Sequence, residues 1–292
     1  MSIKKSELEE RLSLDAFIKD DVKTSDVEEL ETKPFVFLDP NSSYSETFKI
    51  LRTNLKFTMK LTEPRCLMIT SSLTAEGKTT IVANLAASFA QSGARVVVVG
   101  TDMRIPSLYK QFGIEQEIGL SNYLNHEVEL KEIITEYKEE PRLHIIPAGS
   151  IPPNSADLLS SDRFLEFVEN IKKQYDIAIF DSPPVNLVSD SIIMGPVMDG
   201  VLIVVNNGRS RRKDLKVCLE RLRFSNVIGF VMNASNEKAE RSSYYYKRND
   251  GYGYGYGYGY KSHHGAGRYY SYGKNPTRSS SEAPESSEPP TK

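Results

Sequence analysis

The ten residues Ser71–Thr80, SSLTAEGKTT, constrain the fold of this chain more than any other segment. They follow the apolar run Cys66–Thr70, which is typical of a buried strand, and they precede IVANLAASFAQ, whose apolar residues have helical spacing. A strand, a small polar loop, Gly-Lys-Thr and a helix form the order of a phosphate-binding loop, in which backbone N–H groups and a helix N-terminus converge on a phosphate. Ser72 stands at the first position of the pattern G-x-x-x-x-G-K-[ST], so the match is a relaxed one. The flanking strand and helix favour this interpretation over an ordinary polar turn.

Residue types within the loop predict how it holds a nucleotide. Gly77 lets the backbone approach closely, Lys78 is expected to reach the β- and γ-phosphates, and the Thr79 hydroxyl is expected to bind Mg²⁺. Asn233 ends the last predicted strand and is a candidate to touch the adenine base, with a purely structural cap as an equal alternative. The predicted nucleotide-binding residues are Ser72, Ala75, Glu76, Gly77, Lys78, Thr79, Thr80 and Asn233.

Apolar strands alternate with helical patterns from Cys66 onward. The predicted strands are 66–70, 95–100, 143–149, 176–182, 200–206 and 227–233. The predicted helices cover about 78–91, 106–112, 119–125, 128–138, 154–173, 187–195 and 211–224. Near-continuous apolar strands separated by helices predict an α/β fold of the P-loop NTPase type, with a mostly parallel sheet covered on both faces. Upstream, residues 33–42 are predicted to be extended, with Asn41 or Ser42 as the N-cap of a following amphipathic helix.

Two aspartates follow strands whose carboxyl ends should meet the phosphate-binding loop. Asp181 ends the apolar run Ile177–Phe180, where a Walker B aspartate contacts Mg²⁺, and Asp102 follows the run Val96–Val99. We therefore predict that Thr79, Asp102 and Asp181 hold the metal and that Lys78, Asp102 and Asp181 are the catalytic residues. Asp190 is interpreted as the N-cap of the helix 190–195.

Composition excludes several other classes. The net charge of −2 argues against a nucleic-acid partner, and Cys66 and Cys218 are expected to be reduced core residues. The charged N-terminus is not a signal peptide, and no apolar run approaches the roughly 18 residues of a membrane span. We therefore expect a cytoplasmic protein. His126 and His144 are isolated, so no metal other than Mg²⁺ is predicted.

Three segments differ in their composition. Residues 1–38 form a charged arm, residues 39–236 the P-loop domain, and residues 237–292 a tail rich in Tyr, Gly, Ser and Pro that is predicted to be disordered. The tail holds 11 of the 16 tyrosines, which disorder alone does not predict. A sticky passive tail and a polyanion-binding tail are alternatives to a functional tyrosine array.

The chain resembles the bacterial tyrosine kinases, the P-loop autokinases of capsule and exopolysaccharide synthesis. The similar motifs are the loop with Glu76–Lys78, GTDMR (100–104), DSPP (181–184), and PAGSIPPNSADLLSS (147–161). Gly100 stands where the family carries the first Asp of D-x-D-x-R, its candidate for accepting the tyrosine proton. We therefore expect a slow kinase or one that borrows another carboxylate.

The resemblance implies ATP and Mg²⁺ as cofactors and phosphoryl transfer in trans to the tail of a neighbouring subunit. The implied assembly residues are Glu46, Lys49 and Arg52, which correspond to the family pattern E-x-x-R-x-x-R with Lys in place of the middle Arg. The implied partners are a membrane adaptor that regulates chain length, a ring-like homo-oligomer and a cognate tyrosine phosphatase, so recruitment to the inner face of the membrane is expected. The implied phosphoacceptors are Tyr244, Tyr245, Tyr246, Tyr252, Tyr254, Tyr256, Tyr258, Tyr260, Tyr269, Tyr270 and Tyr272.

Two other functions compete with autokinase activity. A ParA/MinD-like ATPase switch shares the loop, but that class carries a Lys five residues before the catalytic one, where this chain has Leu73. An ATP-binding scaffold with weak or absent transfer activity is favoured only by Gly100.

Overall fold

A computed structural model describes residues 33–60, 63 and 65–234, and its centre is a seven-stranded sheet. The strand order is β3-β4-β2-β5-β1-β6-β7, and every neighbouring pair is parallel except β3 and β4. The predicted α/β fold with a mostly parallel sheet is therefore confirmed. The strands are β1 Arg65–Ser71, β2 Val96–Gly100, β3 Thr135–Glu136, β4 Leu143–Ile146, β5 Ile177–Asp181, β6 Gly200–Asn206 and β7 Val227–Asn233.

Nine α-helices and two short 3₁₀ turns, Leu130–Glu132 and Gly195–Val197, accompany the sheet in the described part of the chain. Ser42 is the N-cap of the second helix, and its side chain accepts a hydrogen bond from the backbone N–H of Ser45, so one of the two predicted N-caps is confirmed. The helices are α1 Phe35–Leu38, α2 Ser43–Thr58, α3 Lys78–Gln91, α4 Leu108–Phe112, α5 Leu120–Leu124, α6 Ser155–Leu159, α7 Asp162–Gln174, α8 Asp190–Met194 and α9 Arg212–Arg221.

Each central strand is buried on both faces. In β2, Val97 and Val99 enter a core cluster that contains Phe164 of α7, while Val96 and Val98 enter a second cluster that contains Phe89 of α3. Burial on both faces explains why the sequences of these strands are unbroken runs of apolar residues.

Three predicted elements were wrong. The predicted helix 128–138 is a single 3₁₀ turn followed by β3, because the Tyr137 ring is buried beside Phe37 and Phe112 and its backbone N–H pairs with Leu143. The predicted helix 154–173 is two helices, because Ser161 is extended and caps the second one. The segment predicted to be extended forms the short helix α1, whose Val36 N–H donates to Asn84 of α3.

Two predicted segments lie largely or wholly outside the described residues. These are the arm 1–38, of which only residues 33–38 are described, and the tail 237–292 with its eleven tyrosines. Both therefore stay predictions. None of the helices in residues 33–60 and 65–234 combines the length and the apolar character that a membrane span requires.

Candidate functional site

The phosphate-binding loop connects β1 to the N-terminus of α3. Gly77 caps this helix with a φ of 91°, a left-handed conformation that favours glycine. A Cβ at Gly77 would overlap the side-chain amide of Asn233 at the end of β7, which would have to move away. The loop thus delivers Lys78 and Thr79 at the start of a helix, where backbone N–H groups are free to bind an anion.

The Glu76 carboxylate shapes the loop from inside. This side chain is almost fully buried, and it accepts hydrogen bonds from Ser72 Oγ at 3.0 Å, from Leu73 N at 2.8 Å and from Ser210 Oγ. Two predicted nucleotide-binding side chains, Ser72 and Glu76, therefore bond to each other and fix the loop backbone. The left-handed Ala75, with a φ of 58°, has its carbonyl bonded by Arg209 at 3.2 Å.

Asn233 contacts the loop from the end of β7. Its Nδ2 donates to the Glu76 carbonyl at 3.0 Å. The structural role that the sequence left open for Asn233 is therefore present in this structure, and contact with an adenine base stays a prediction. Thr80 lies within the first turn of α3, and its carbonyl accepts a hydrogen bond from Asn84.

Thr79 and Asp181, two of the three predicted metal-binding residues, are in direct contact. Thr79 Oγ1 donates to Asp181 Oδ2 at 2.9 Å and lies 3.0 Å from Ser107 Oγ. The other carboxylate oxygen of Asp181, Oδ1, is buried and has no hydrogen-bond partner among the described residues. Burial raises the pKa of Asp181 to about 6, although the charge of Lys78 and the Thr79 hydrogen bond lower it. A buried carboxylate oxygen without a partner suits a hard divalent cation.

Asp102 lies near the same charges. Its Oδ1 accepts a hydrogen bond from Ile105 N at 3.0 Å, and burial raises the pKa of the Asp102 carboxyl. Lys78 is buried, and its charge lowers the pKa of both Asp102 and Asp181. The tertiary structure therefore brings all three predicted catalytic residues together at the carboxyl edge of the sheet. No group of three His, Cys, Asp or Glu side chains forms a metal cage in the described part of the chain, and Mg²⁺ commonly uses only one or two carboxylates together with substrate phosphates.

Asp190 has a different position from the one predicted. Ser189 is the N-cap of α8, and the fully buried Asp190 is its first helical residue. The carboxylate accepts a hydrogen bond from Ser155 Oγ at 2.8 Å and pairs with Arg104 Nη2 at 3.1 Å. This ion pair ties the segment after Asp102 to α6 and α8. The GTDMR motif drew attention to Arg104, but Asp190, the ion-pair partner of Arg104, lies 86 residues further along the chain.

A small pocket adjoins the metal-binding residues, and sequence reasoning missed one residue in it. Gln116 reaches this pocket, with its Nε2 bonded to the Gly149 carbonyl at 2.5 Å and its Oε1 buried without a partner among the described residues. A Cβ at Gly100 would lie 3.0 Å from Ala148 N, so glycine fits this wall closely. The pocket is lined by Gly100, Asp102, Pro106, Ser107, Leu108, Gln116, Ala148 and Asp181.

The predicted assembly residues lie on α2. Lys49 forms an ion pair with Glu46 at 3.2 Å. Arg52 donates hydrogen bonds to Ser88 of α3, one to its carbonyl oxygen and one to its Oγ at 3.1 Å. Burial lowers the pKa of the Arg52 guanidinium. Arg52 therefore holds α2 against α3, and the assembly role of the three residues stays a prediction.

Comparisons with known proteins place this site in a family. Residues 69–222 match the family described as AAA domain. Tyrosine-protein kinase YwqD of Bacillus subtilis is 33% identical over 216 residues, which cover 73% of this chain and 91% of that protein. Tyrosine-protein kinase CpsD of Streptococcus agalactiae is 36% identical over 195 residues, 66% of this chain and 84% of that protein. Tyrosine-protein kinase etk of Escherichia coli is 34% identical, but the match covers only 30% of its length.

Solved structures show the same similarity. The kinase domain of Escherichia coli tyrosine kinase ETK superimposes with a TM-score of 0.69 at 30% identity, over 85% of this chain and 91% of that domain. The septum site-determining protein MinD from Pyrococcus horikoshii, solved with Mg-ADP, gives 0.50 at 22% identity over 60% of this chain and 72% of that protein. The second similarity extends to the fold alone.

Proposed function

The chain belongs to the bacterial tyrosine kinase family, and from this premise we propose that it transfers the γ-phosphoryl group of ATP to tyrosines of its own tail. The transfer occurs in trans, from the site of one subunit to the tail of a neighbour, and it regulates the polymerisation and export of a capsule or exopolysaccharide. The single observation that carries the proposal is the contact between Thr79 and Asp181 beside Lys78, where Asp181 Oδ1 has no hydrogen-bond partner among the described residues.

The residues present fit Mg²⁺·ATP. Thr79 Oγ1, Asp181 Oδ1 and Asp102 would hold the ion, and Lys78 would contact the β- and γ-phosphates. When bound, Mg²⁺ neutralises charge on the phosphates. The backbone N–H groups that begin α3 orient the phosphates, and Glu76 keeps the loop in the shape that allows this.

The transfer itself needs positioning more than covalent chemistry. The tyrosine oxygen forms a bond to the γ-phosphorus while the bond to the bridging β–γ oxygen breaks, ADP leaves with that electron pair, and the phenolic proton passes to an oxygen of the transferred phosphoryl group. Lys78 stabilises negative charge on the phosphates, and the fixed backbone of the loop keeps the reacting atoms in line. The tail tyrosines lie outside the described residues. Their proposed role as phosphoacceptors is supported by the high density of tyrosines in that part of the sequence.

The proposal includes partners. The match covers only 30% of the length of Etk, so further sequence accompanies the matched region in that relative. We propose that a membrane adaptor of the chain-length regulator type activates this chain through a cytoplasmic segment and recruits it to the inner face of the membrane. Glu46, Lys49 and Arg52 take part in a ring-like homo-oligomer, and a tyrosine phosphatase reverses the modification.

The test is tail phosphotyrosine measured by mass spectrometry after incubation of the purified full chain with Mg·ATP, with and without the cytoplasmic segment of a candidate adaptor. Lys78→Ala removes the phosphate contact and is expected to abolish phosphotyrosine. A second full-length variant with all eleven tail tyrosines changed to Phe keeps the site but has no tail acceptor. Mixing the two variants should place phosphotyrosine on the tail of the Lys78→Ala chain, which requires transfer in trans.

Two results would contradict the proposal. Absence of phosphotyrosine in the wild type, with ATP still bound, would leave a nucleotide-gated scaffold. Phosphotyrosine in the wild type but not in the mixture would show transfer within one chain. An ATP-driven dimer without phosphotyrosine would instead support a switch of the ParA/MinD type.

A further inference from the structure

Four large aliphatic side chains are exposed in segments at the carboxyl edge of the sheet. Three of them follow β2, β4 and β5, which are neighbours in the sheet, and the fourth directly precedes α5. We define this apolar rim as Ile105 (68% exposed), Ile118 (51%), Ile151 (67%) and Leu187 (55%).

Two rim residues, Ile105 and Leu187, lie beside the metal-binding residues and the phosphate-binding loop. Ile105 N donates a hydrogen bond to Asp102 Oδ1 at 3.0 Å. Leu187 directly follows Asn186, whose backbone N–H donates to the Ser72 carbonyl of the loop at 3.3 Å. These two side chains therefore adjoin the site proposed for Mg²⁺·ATP.

The other two rim residues, Ile118 and Ile151, lie on segments that adjoin the same site. Gln116 lines the small pocket together with Asp102, and its Nε2 donates to the Gly149 carbonyl. Ile118 and Ile151 each lie two residues beyond one member of this hydrogen-bonded pair. The four rim residues are thus grouped around one site and are not scattered over the surface.

A buried ion pair holds the loops of the rim in place. Arg104 pairs with Asp190 at 3.1 Å, and Asp190 accepts a hydrogen bond from Ser155 Oγ at 2.8 Å. These three residues lie in or directly after the loops that follow β2, β5 and β4, which carry three of the rim residues. A single exposed aliphatic side chain is ordinary, but several on fixed loops around one site are typical of a surface that binds a protein segment.

The tail contains a segment whose chemistry matches this surface. Residues 251–260 have the sequence GYGYGYGYGY, so a tyrosine stands at every second position. In an extended chain such tyrosines lie on one side at intervals of roughly 6–7 Å, and three neighbouring strands such as β4, β2 and β5 span about 10 Å. A tyrosine ring packs its apolar body on aliphatic side chains and keeps its hydroxyl in water. The rings on either side of a reacting tyrosine can therefore contact the rim.

Charge and chain position favour the same occupant. Glu115 and Glu117 are exposed next to the rim residue Ile118, so the rim has acidic neighbours. Complementary charge steers a basic segment to such a surface. The tail begins shortly after Asn233, whose side chain contacts the phosphate-binding loop at the same edge of the sheet. Within 241–280 the only acidic residue is Asp250, and the basic residues are Arg241, Lys247, Arg248, Lys261, Arg268, Lys274 and Arg278.

We propose that the apolar rim recognises the tyrosine–glycine repeat in the tail of a neighbouring subunit, an inference that rests on the proposed kinase function. One tyrosine of the repeat enters the site for transfer, and the rings before and after it pack on the rim. The glycines between them allow the tail backbone to lie close to the surface. Because the inner tyrosines of the repeat have the same neighbours, the rim selects the repeat as a whole and not one position in it.

The experiment is a competition between two acceptor chains in one reaction. Both acceptors are full-length chains with Lys78→Ala in which Tyr256 is the only tail tyrosine. The other ten tail tyrosines are changed to Phe in one acceptor and to Ser in the other. The enzyme is a full-length chain with all eleven tail tyrosines changed to Ser, so its own tail has no rings to compete for the rim. Mass spectrometry measures phosphorylation of Tyr256 in each acceptor, and because both share one enzyme, the ratio does not depend on the amount of active enzyme.

The acceptor with Phe should be phosphorylated about tenfold faster than the acceptor with Ser, the discrimination typical of a small difference in apolar contact. With Ile105→Ser and Ile151→Ser in the enzyme, the two acceptors should react at equal rates, because the rings have lost their contacts. Phe224→Ser in the enzyme is the matched control. Phe224 is 75% exposed but lies just before β7 begins, at the opposite edge of the sheet, so the preference for Phe should remain.

Four results would overturn the inference. The first three are equal phosphorylation of both acceptors by the enzyme with an intact rim, a preference for Phe that persists in the rim variant, and a preference that Phe224→Ser removes as fully as the rim variant does. The fourth is a rim variant that keeps the preference but is no longer stimulated by the adaptor segment, which would assign the rim to the adaptor. In each case phosphotyrosine on the acceptors shows that the kinase function itself stands. Absence of phosphotyrosine from both acceptors and from the wild type removes both proposals together.

Discussion

Replacing Arg104 with alanine should destabilise this chain much more than removing an ordinary surface arginine. The Asp190 carboxylate is 0% exposed and bonds only to Ser155 Oγ at 2.8 Å and to the Arg104 guanidinium among the described residues. Arg104→Ala would leave this charge buried with the hydroxyl alone. Breaking a fully buried ion pair by removing one partner costs about 3–5 kcal/mol. Because the Arg104 side chain is 44% exposed and partly solvated, we expect about 2–3 kcal/mol.

A double-mutant cycle checks the reason for this loss. Asp190→Asn removes the charge but keeps an acceptor for Ser155, so it should cost about 1 kcal/mol. The combination of Arg104→Ala with Asp190→Asn should be more stable than Arg104→Ala alone, because no buried charge is left unpaired. Arg95→Ala is the control, since Arg95 pairs with Asp176 at 2.8 Å but both side chains are about half exposed, and its cost should be much smaller than that of Arg104→Ala.

The assay is urea unfolding followed by circular dichroism at 222 nm. The chain has no tryptophan, and 11 of its 16 tyrosines lie in the tail, so intrinsic fluorescence would come mostly from the tail rather than from the folded domain. A cost for Arg104→Ala no larger than that of Arg95→Ala would refute the reasoning. Additive costs in the double mutant would refute it as well, because they would show that Arg104 and Asp190 do not act as a pair.

Two further predictions concern the loop and the cysteines. Gly77→Ala should weaken Mg·ATP binding by more than about tenfold in a fluorescent-nucleotide titration, since its Cβ meets Asn233 and its φ is 91°. Gly93→Ala is the control, because Gly93 has a φ of 93° but a Cβ added there would have no atom within 4 Å. This variant should lose about 1 kcal/mol of stability and bind Mg·ATP as the wild type does. A loss of binding similar to that of Gly77→Ala would contradict the reasoning. Cys66 and Cys218 are fully buried, and burial raises the pKa of each thiol to about 12, so neither should react with Ellman's reagent at about pH 8 until urea exposes both.

Local pattern was sufficient to predict the sheet and its reactive edge. Unbroken apolar runs such as Val96–Val99 require burial on both faces, and helices between them require parallel strands. Because parallel strands end at one edge, the positions of Asp102 and Asp181 after two strands and of Lys78 in the loop region after a third were enough to predict that they meet. The contact of Thr79 with Asp181 has this origin.

Elements that depend on a distant partner could not be predicted in the same way. The helical spacing in 128–138 was real, but the burial of Tyr137 against Phe37 and Phe112 and its pairing with Leu143 decided the conformation. The role of Asp190 as an ion-pair partner was hidden because Arg104 lies 86 residues earlier.

The sequence by itself determined the class of fold, the nucleotide loop and the candidate metal residues, because these depend on periodicity and on short motifs. Only the tertiary structure decided that Glu76 points inward to Ser72 and Leu73, that Asn233 supports the loop, and that Gln116 reaches the pocket beside Gly100. The physical reason is that a buried polar group must find its partners in space, and neither spacing along the chain nor residue type states where those partners are.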